Sequence, residues 1–214
     1  PLLWYDLIQL LSFIFLNGKC RYCRSPISFF YPIVELTTGL LFVAVLFFLV
    51  GFSINAITII TIIYYLFITS GLIVIFFADL KYGIIPDKIV YPAILVSFLY
   101  LLLNTYYLLP SLLSAFGAFL FFFLLYIITR GRGMGFGDVK LVFLLGLFLG
   151  WPKIAVALYI AFLTGAFVGC ILILWGKKKF SGGTIPFGPY LVLGTIMAMF
   201  WGEQIILKAM RVLL

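Results

Sequence analysis

The chain holds only six acids: Asp6, Glu35, Asp79, Asp87, Asp138 and Glu203. Three of them stand where long apolar runs begin or end. Asp79 closes "GLIVIFFAD", Asp87 follows Pro86 and precedes "KIVYPAILV", and Asp138 links the glycine-interleaved "GRGMGFG" to "VKLVFLLG". Two carboxyls held close together cannot both ionise cheaply, so such a pair shares one proton and titrates with separated apparent pKa values. Its ionised member can activate water against a peptide carbonyl while the protonated member donates to the carbonyl oxygen. Asp79 and Asp138 are the candidate pair. Gly131, Gly133, Gly135 and Gly137 let a backbone approach Asp138 closely and let the loop move.

Each acid also has a plainer reading. Asp87, after a proline and before an apolar helix, reads as an N-cap. Asp138 suits the positive end of its own helix. Asp79 differs, because a carboxylate at a helix C-terminus opposes the dipole and needs compensation, for which Lys81 is near. Residue types alone leave catalysis, ion transport and structural capping open.

Absences narrow the chemistry. The chain has no histidine, which excludes a His-dependent Ser or Cys hydrolase and a His-bearing metal site within it. No "GK[ST]" follows the glycines, so they do not form a phosphate loop. Cys20, Cys23 and Cys170 are an odd set that does not suggest a disulfide scaffold. Cys170 lies deep in an apolar run and reads as packing.

The elements that must position these residues are membrane helices. Of the 214 residues 66% are hydrophobic and 9% charged, far from the charged quarter of an ordinary soluble domain. Apolar stretches recur along nearly the whole length, which predicts an all-α polytopic transmembrane bundle rather than a barrel. Residues 1–31 form a head segment with "GKCRYCRSP", and 32–214 form the bundle. About seven spans are expected, at 32–51, 54–79, 88–104, 109–129, 137–151, 152–175 and 189–209. The third and fifth are short for a crossing.

The net charge of +8 does not indicate nucleic acid, because the basic residues sit in short loops between apolar runs. Lys19, Arg21, Arg24, Lys81, Lys88, Arg130, Arg132, Lys140 and Lys177 to Lys179 fall on one side of the expected spans. Only Lys153, Lys208 and Arg211 fall on the other. The positive-inside rule makes the first side cytoplasmic. All three key acids then lie at the cytoplasmic membrane boundary.

"GMGFGD" resembles the GxGD signature of membrane aspartic proteases, and the wider pattern resembles the type IV prepilin peptidase family. The matching pieces are "WYDLIQLLSFIFLNGKCRYCRSPISFFYPIVELTTG" (4–39), "DLKYGIIPD" (79–87), "GRGMGFGDVKL" (131–141) and "GGTIPFGPYLVLG" (182–194). Four motifs in order, spread over nearly the full chain, make the resemblance specific. It implies a membrane aspartic endopeptidase that removes the basic leader from type IV prepilins or pseudopilins at the cytoplasmic face of the bacterial inner membrane. Its partners are those substrates and membrane lipid. The resemblance makes Asp79 and Asp138 the catalytic pair, with Asp87, Gly135, Gly137 and Lys140 in support. Because the chain is itself basic, leader recognition is expected to use local acids, Glu35 or Asp87.

The resemblance also implies what proteolysis does not need. No cofactor is expected for the cleavage itself. Many bacterial members methylate the new amine with S-adenosylmethionine, but no nucleotide fingerprint is recognisable in this chain. Bacterial members usually carry one further N-terminal helix and two CxxC pairs that resemble a structural zinc knuckle. Only the second pair, Cys20 and Cys23, is present, and a closed tetrahedral site takes four ligands. The start at Pro1, without methionine, suggests that an N-terminal part is missing.

Three rivals remain at this level, of which a non-catalytic assembly scaffold is the plainest. A presenilin-like or signal-peptide-peptidase-like protease shares GxGD, but it would hold its first aspartate in another motif and has no reason to carry "GGTIPFGP". A transporter would use membrane carboxylates for ions, but it would place them near mid-membrane in broken helices.

Overall fold

The computed structural model describes residues 9–49, 55–131, 133–175 and 186–213. Its regular structure is helical: α1 (Gln9–Phe15), α2 (Phe30–Leu49), α3 (Ala56–Tyr82), α4 (Asp87–Leu103), α5 (Thr105–Ile128), α6 (Phe136–Leu149), α7 (Lys153–Leu174) and α8 (Gly188–Leu213). The helices α2 to α8 fall on the seven expected runs. Five of them, α2, α3, α5, α7 and α8, are long and apolar enough to cross a membrane. The other two are short: α4 has 17 residues and α6 has 14. At 1.5 Å per residue they reach roughly 26 and 21 Å, against a hydrocarbon core of about 30 Å.

The chain divides into two compact units, Pro1–Ile73 and Val74–Leu214. In the first, α1 stops at Gly18, whose φ of +71° only glycine adopts without strain. The Gly18 amide donates to the Phe13 carbonyl at 2.9 Å, closing the helix end. A tight loop follows, laced by the Cys20 amide to the Ser25 carbonyl (2.9 Å) and the Ile27 amide to the Gly18 carbonyl (2.8 Å). Ser28 then accepts from the Phe30 amide at 3.3 Å as α2 begins.

In the second unit the 14-residue α6 is the central element, packed against α4, α5, α7 and α8. Nine of its residues are buried, Asp138 and eight apolar or glycine positions after it. A helix that is apolar all round belongs inside a bundle. Close approach to α5 is set by Gly146, where an added Cβ would lie 2.4 Å from the Ala115 α-carbon. Gly194 plays the same part between α8 and α7, with an added Cβ at 2.3 Å from the Ala157 carbonyl oxygen. Small residues at such crossings replace the hydrophobic drive that lipid cannot supply.

Two local expectations are corrected. The second run does not end at Asp79: α3 continues to Tyr82 and stops at Gly83, with φ +66°. Asp79 is therefore one turn inside the helix, its carbonyl accepting from the Gly83 amide at 2.8 Å. Asp87 is not the N-cap of α4. Pro86 holds that position, without a side-chain cap, and Asp87 is the first helical residue.

Candidate active site

Three chain segments meet at one cavity of about 730 Å³, lined by Asp79 and residues 83–88, by the glycine loop with the start of α6, and by Pro186 and Phe187 ahead of α8. Asp79 and Asp138 both line it, yet they are only 5% and 6% exposed. Their carboxyl groups are near enough to interact electrostatically. Among the described residues, each keeps one buried oxygen without a hydrogen-bond partner, Oδ2 of Asp79 and Oδ1 of Asp138. A buried, unsatisfied carboxyl oxygen costs free energy. Two of them on one cavity are a place where a small polar molecule gains several hydrogen bonds at once.

The GxGD spacing has a local cause. Gly135 is the N-cap of α6 and Asp138 its third residue. The Gly135 amide donates to Asp138 Oδ2 at 3.1 Å, and the Asp138 amide donates back to the Gly135 carbonyl at 3.2 Å. This side-chain-to-cap hydrogen bond is one half of a capping box, and it fixes one carboxyl oxygen while leaving the other free. Gly137 is closely packed for a different reason: a Cβ there would meet Ile85 Cβ at 3.1 Å, so Ile85 would have to give way. The loop after α3 therefore closes directly on the first turn of α6.

Lys140 and Asp87 form an ion pair between α6 and α4 on the cavity wall. The Lys140 ammonium also stands 5.5 Å from the ring centroids of Tyr91 and Phe136. Tyr91 was not singled out by the sequence. A tyrosine one helical turn after Asp87 was the available signal.

Glu35 and the two neighbouring thiols lie in the other unit. Glu35 is in α2, with a buried Oε2 that has no partner. In the head loop the Cys23 thiol lies 3.0 Å from the Ser25 hydroxyl, and that contact, with further hydrogen bonds, brings its pKa down to about 7. Cys20 is within hydrogen-bonding reach of Cys23. Two thiols side by side can serve a metal, but no group of three or more ligands gathers among the described residues. Cys20 and Cys23 by themselves do not close a tetrahedral zinc site. Cys170 is exposed on α7, so its expected role in packing the protein interior is not met. An exposed thiol on an apolar helix suits a lipid-facing position. The residues 182–185 of the last motif lie outside the described residues, while Pro186 to Gly194 are described.

Comparison with known proteins gives a consistent result. A model of the type IV leader peptidase family matches residues 66–170. A model of the bacterial peptidase A24 N-terminal domain matches residues 1–49. A protein of Aeromonas hydrophila named "Prepilin leader peptidase/N-methyltransferase" is 36% identical, over 96% of this chain and 70% of its own length. Proteins with the same name from Pseudomonas aeruginosa and Bacillus subtilis are 35% and 34% identical over 94% of this chain, and 68% and 78% of theirs. No solved structure matches the chain.

Proposed function

The chain belongs to the type IV leader peptidase family, and we propose that it is a membrane aspartic endopeptidase that cleaves the leader from prepilins or pseudopilins with Asp79 and Asp138 as its dyad. It is a multi-pass protein of the bacterial cytoplasmic membrane. The observation that carries the reading is the pair of buried oxygens, one on each acid at a single cavity, that have no hydrogen-bond partner among the described residues. A water between them gives its proton to the ionised carboxyl as it attacks the scissile carbonyl. The protonated carboxyl donates to the carbonyl oxygen, and collapse of the tetrahedral adduct returns a proton to the leaving amine. This step needs water and the chain's own carboxyls. The Asp138 oxygen held by the Gly135 amide supplies orientation.

The finer topology is part of the proposal. Seven membrane segments, α2 to α8, with the cavity end facing the cytoplasm, agree with eleven basic residues on that side and three on the other. The short α6 then counts as a segment enclosed by its neighbours, and the short α4 as one that buries a single face and leaves the other open. Methylation of the new N-terminal amine, the second activity in the relatives' names, draws on S-adenosylmethionine and is assigned no residue of this chain. A structural zinc would take Cys20 and Cys23 as two of its ligands. Glu35 and Asp87 stand as acids for the basic leader.

The test is cleavage of a prepilin by the purified chain in lipid vesicles. The wild type should release the leader, while Asp79→Asn and Asp138→Asn should not. A folded wild type with no cleavage of any prepilin or pseudopilin offered would sink the reading.

A further inference from the structure

On the reading of Asp79 and Asp138 as the reacting pair, we propose that Gly188 is a positioning residue for Asp79: the bare α-carbon and first-turn amide at the start of α8 form the seat on which that carboxyl rests. The space is the first argument. A Cβ added at Gly188 would lie 2.5 Å from Asp79 Oδ2, 3.1 Å from its Cγ and 3.4 Å from its Cβ. The first distance is far inside van der Waals contact, so the carboxyl occupies the volume that any other residue at 188 would fill.

The second argument is the hydrogen-bonding pattern where α8 begins. The Phe187 carbonyl accepts from the amides of Tyr190 (3.1 Å) and Leu191 (3.2 Å), so the helix starts its ladder there. Pro189 has no amide hydrogen. The Gly188 N–H therefore lies in the first turn, whose amides find no acceptor within the helix, and its α-carbon is set directly against the Asp79 carboxyl. A backbone donor orients a carboxylate without the rotamer freedom a side chain would bring.

The seat is itself anchored. Phe187 packs with Phe162 of α7 (ring centroids 5.2 Å apart), Phe122 of α5 (6.2 Å) and Tyr190 (6.3 Å). Gly165 of α7 leaves room for it, since a Cβ there would lie 3.2 Å from Phe187 Cε2. These contacts hold the start of α8 from two other helices.

Gly188 differs in kind from the tight glycines of the helix crossings. At Gly146 and Gly194 an added methyl meets backbone, which cannot step aside. At Gly188 it meets the far end of a side chain. Asp79 can swing away, so the fold accommodates alanine while the carboxyl leaves its place beside Asp138. Small displacements of a reacting group cost about a hundredfold in rate.

The experiment combines kinetics with a stability cycle on the full chain in vesicles or detergent. Gly188→Ala should lower kcat for prepilin cleavage by about a hundredfold and leave KM within about twofold, because the leader's own contacts are untouched. The thermal midpoint of unfolding should drop on Gly188→Ala in the wild type and not in the Asp79→Ala background, where no carboxyl is displaced. If Gly188→Ala alone fails to fold, Asp79→Ala should restore folding of the double variant. Wild-type kcat, or a stability loss that persists undiminished in Asp79→Ala, would overturn the proposal. Cleavage that survives Asp79→Asn would instead defeat the dyad, and the stability cycle would still report the contact.

Discussion

Lys140, two residues after Asp138 on α6, is paired with Asp87, the first residue of α4. The pair joins two helices on the wall of the cavity, but its members are unequal: the Lys140 side chain is 16% exposed and that of Asp87 is 52% exposed. Half-open ion pairs are screened and contribute about 0–1 kcal/mol. Asp87→Asn and Lys140→Met should therefore each lower stability by less than about 1 kcal/mol, and the double variant by no more than the larger single effect. Cleavage should persist in all three, within roughly tenfold of the wild type. A double-mutant cycle in thermal unfolding, run beside the cleavage assay, checks both. Abolished cleavage in Asp87→Asn alone would move the chemistry to that residue.

The dyad makes a contrasting prediction. Asp79→Asn and Asp138→Asn should each reduce kcat by at least roughly 10²–10⁴-fold, since an amide serves as neither base nor acid. Because the two act as one unit, the double variant should be scarcely worse than either single one. Cleavage rates normalised to folded protein decide the matter. Multiplying defects would show that the acids work independently.

Packing at the centre of the second unit predicts a stability effect without a chemical one. Gly146→Ala forces a methyl against the Ala115 α-carbon at 2.4 Å, so α5 and α6 must separate. Overpacking of this kind costs about 1–3 kcal/mol. Thermal unfolding in detergent should show it, while the cleavage rate per folded molecule at low temperature stays near wild type.

The head loop offers a pH-dependent readout. The Cys23 thiol has its pKa lowered from 9.0 to about 7, first through Ser25. Hydrogen bonds to a thiolate favour the charged form, so more thiolate is present at neutral pH. In the chain free of metal, alkylation of Cys23 should rise with a midpoint near pH 7. Ser25→Ala should move the midpoint upward. Mass spectrometry of the alkylated peptide across pH measures it, and an unchanged midpoint would remove Ser25 as the cause.

Much of this arrangement was legible in the residues, for physical reasons. The runs that became α2 to α8 were readable because apolar stretches of such length, repeated along a chain, are stable in lipid and not in water. The end of α3 was misplaced because an acid resembles a boundary, whereas the helix stops at Gly83, where the backbone turns left-handed. Asp87 looked like a cap because its partner arrives from α6, and spacing along one helix carries no record of that. The closeness of Gly188 to Asp79 was hidden for the same reason. Nor could hydropathy tell a helix bathed in lipid from one wrapped in protein, which is why the buried α6 was counted beside the long five.

The shortness of α6 has a consequence for how water meets the membrane. At about 21 Å the helix falls roughly 9 Å short of the hydrocarbon thickness. A short helix facing lipid would draw the bilayer thin around it. With nine of its 14 residues covered by neighbouring helices, α6 presents little surface for lipid to follow. On the proposed seven-segment topology the shortfall lies at the cavity that Asp138 lines from the first turn of α6. The depth of that cavity would then be set by the residue count of one buried helix rather than by the thickness of the host bilayer.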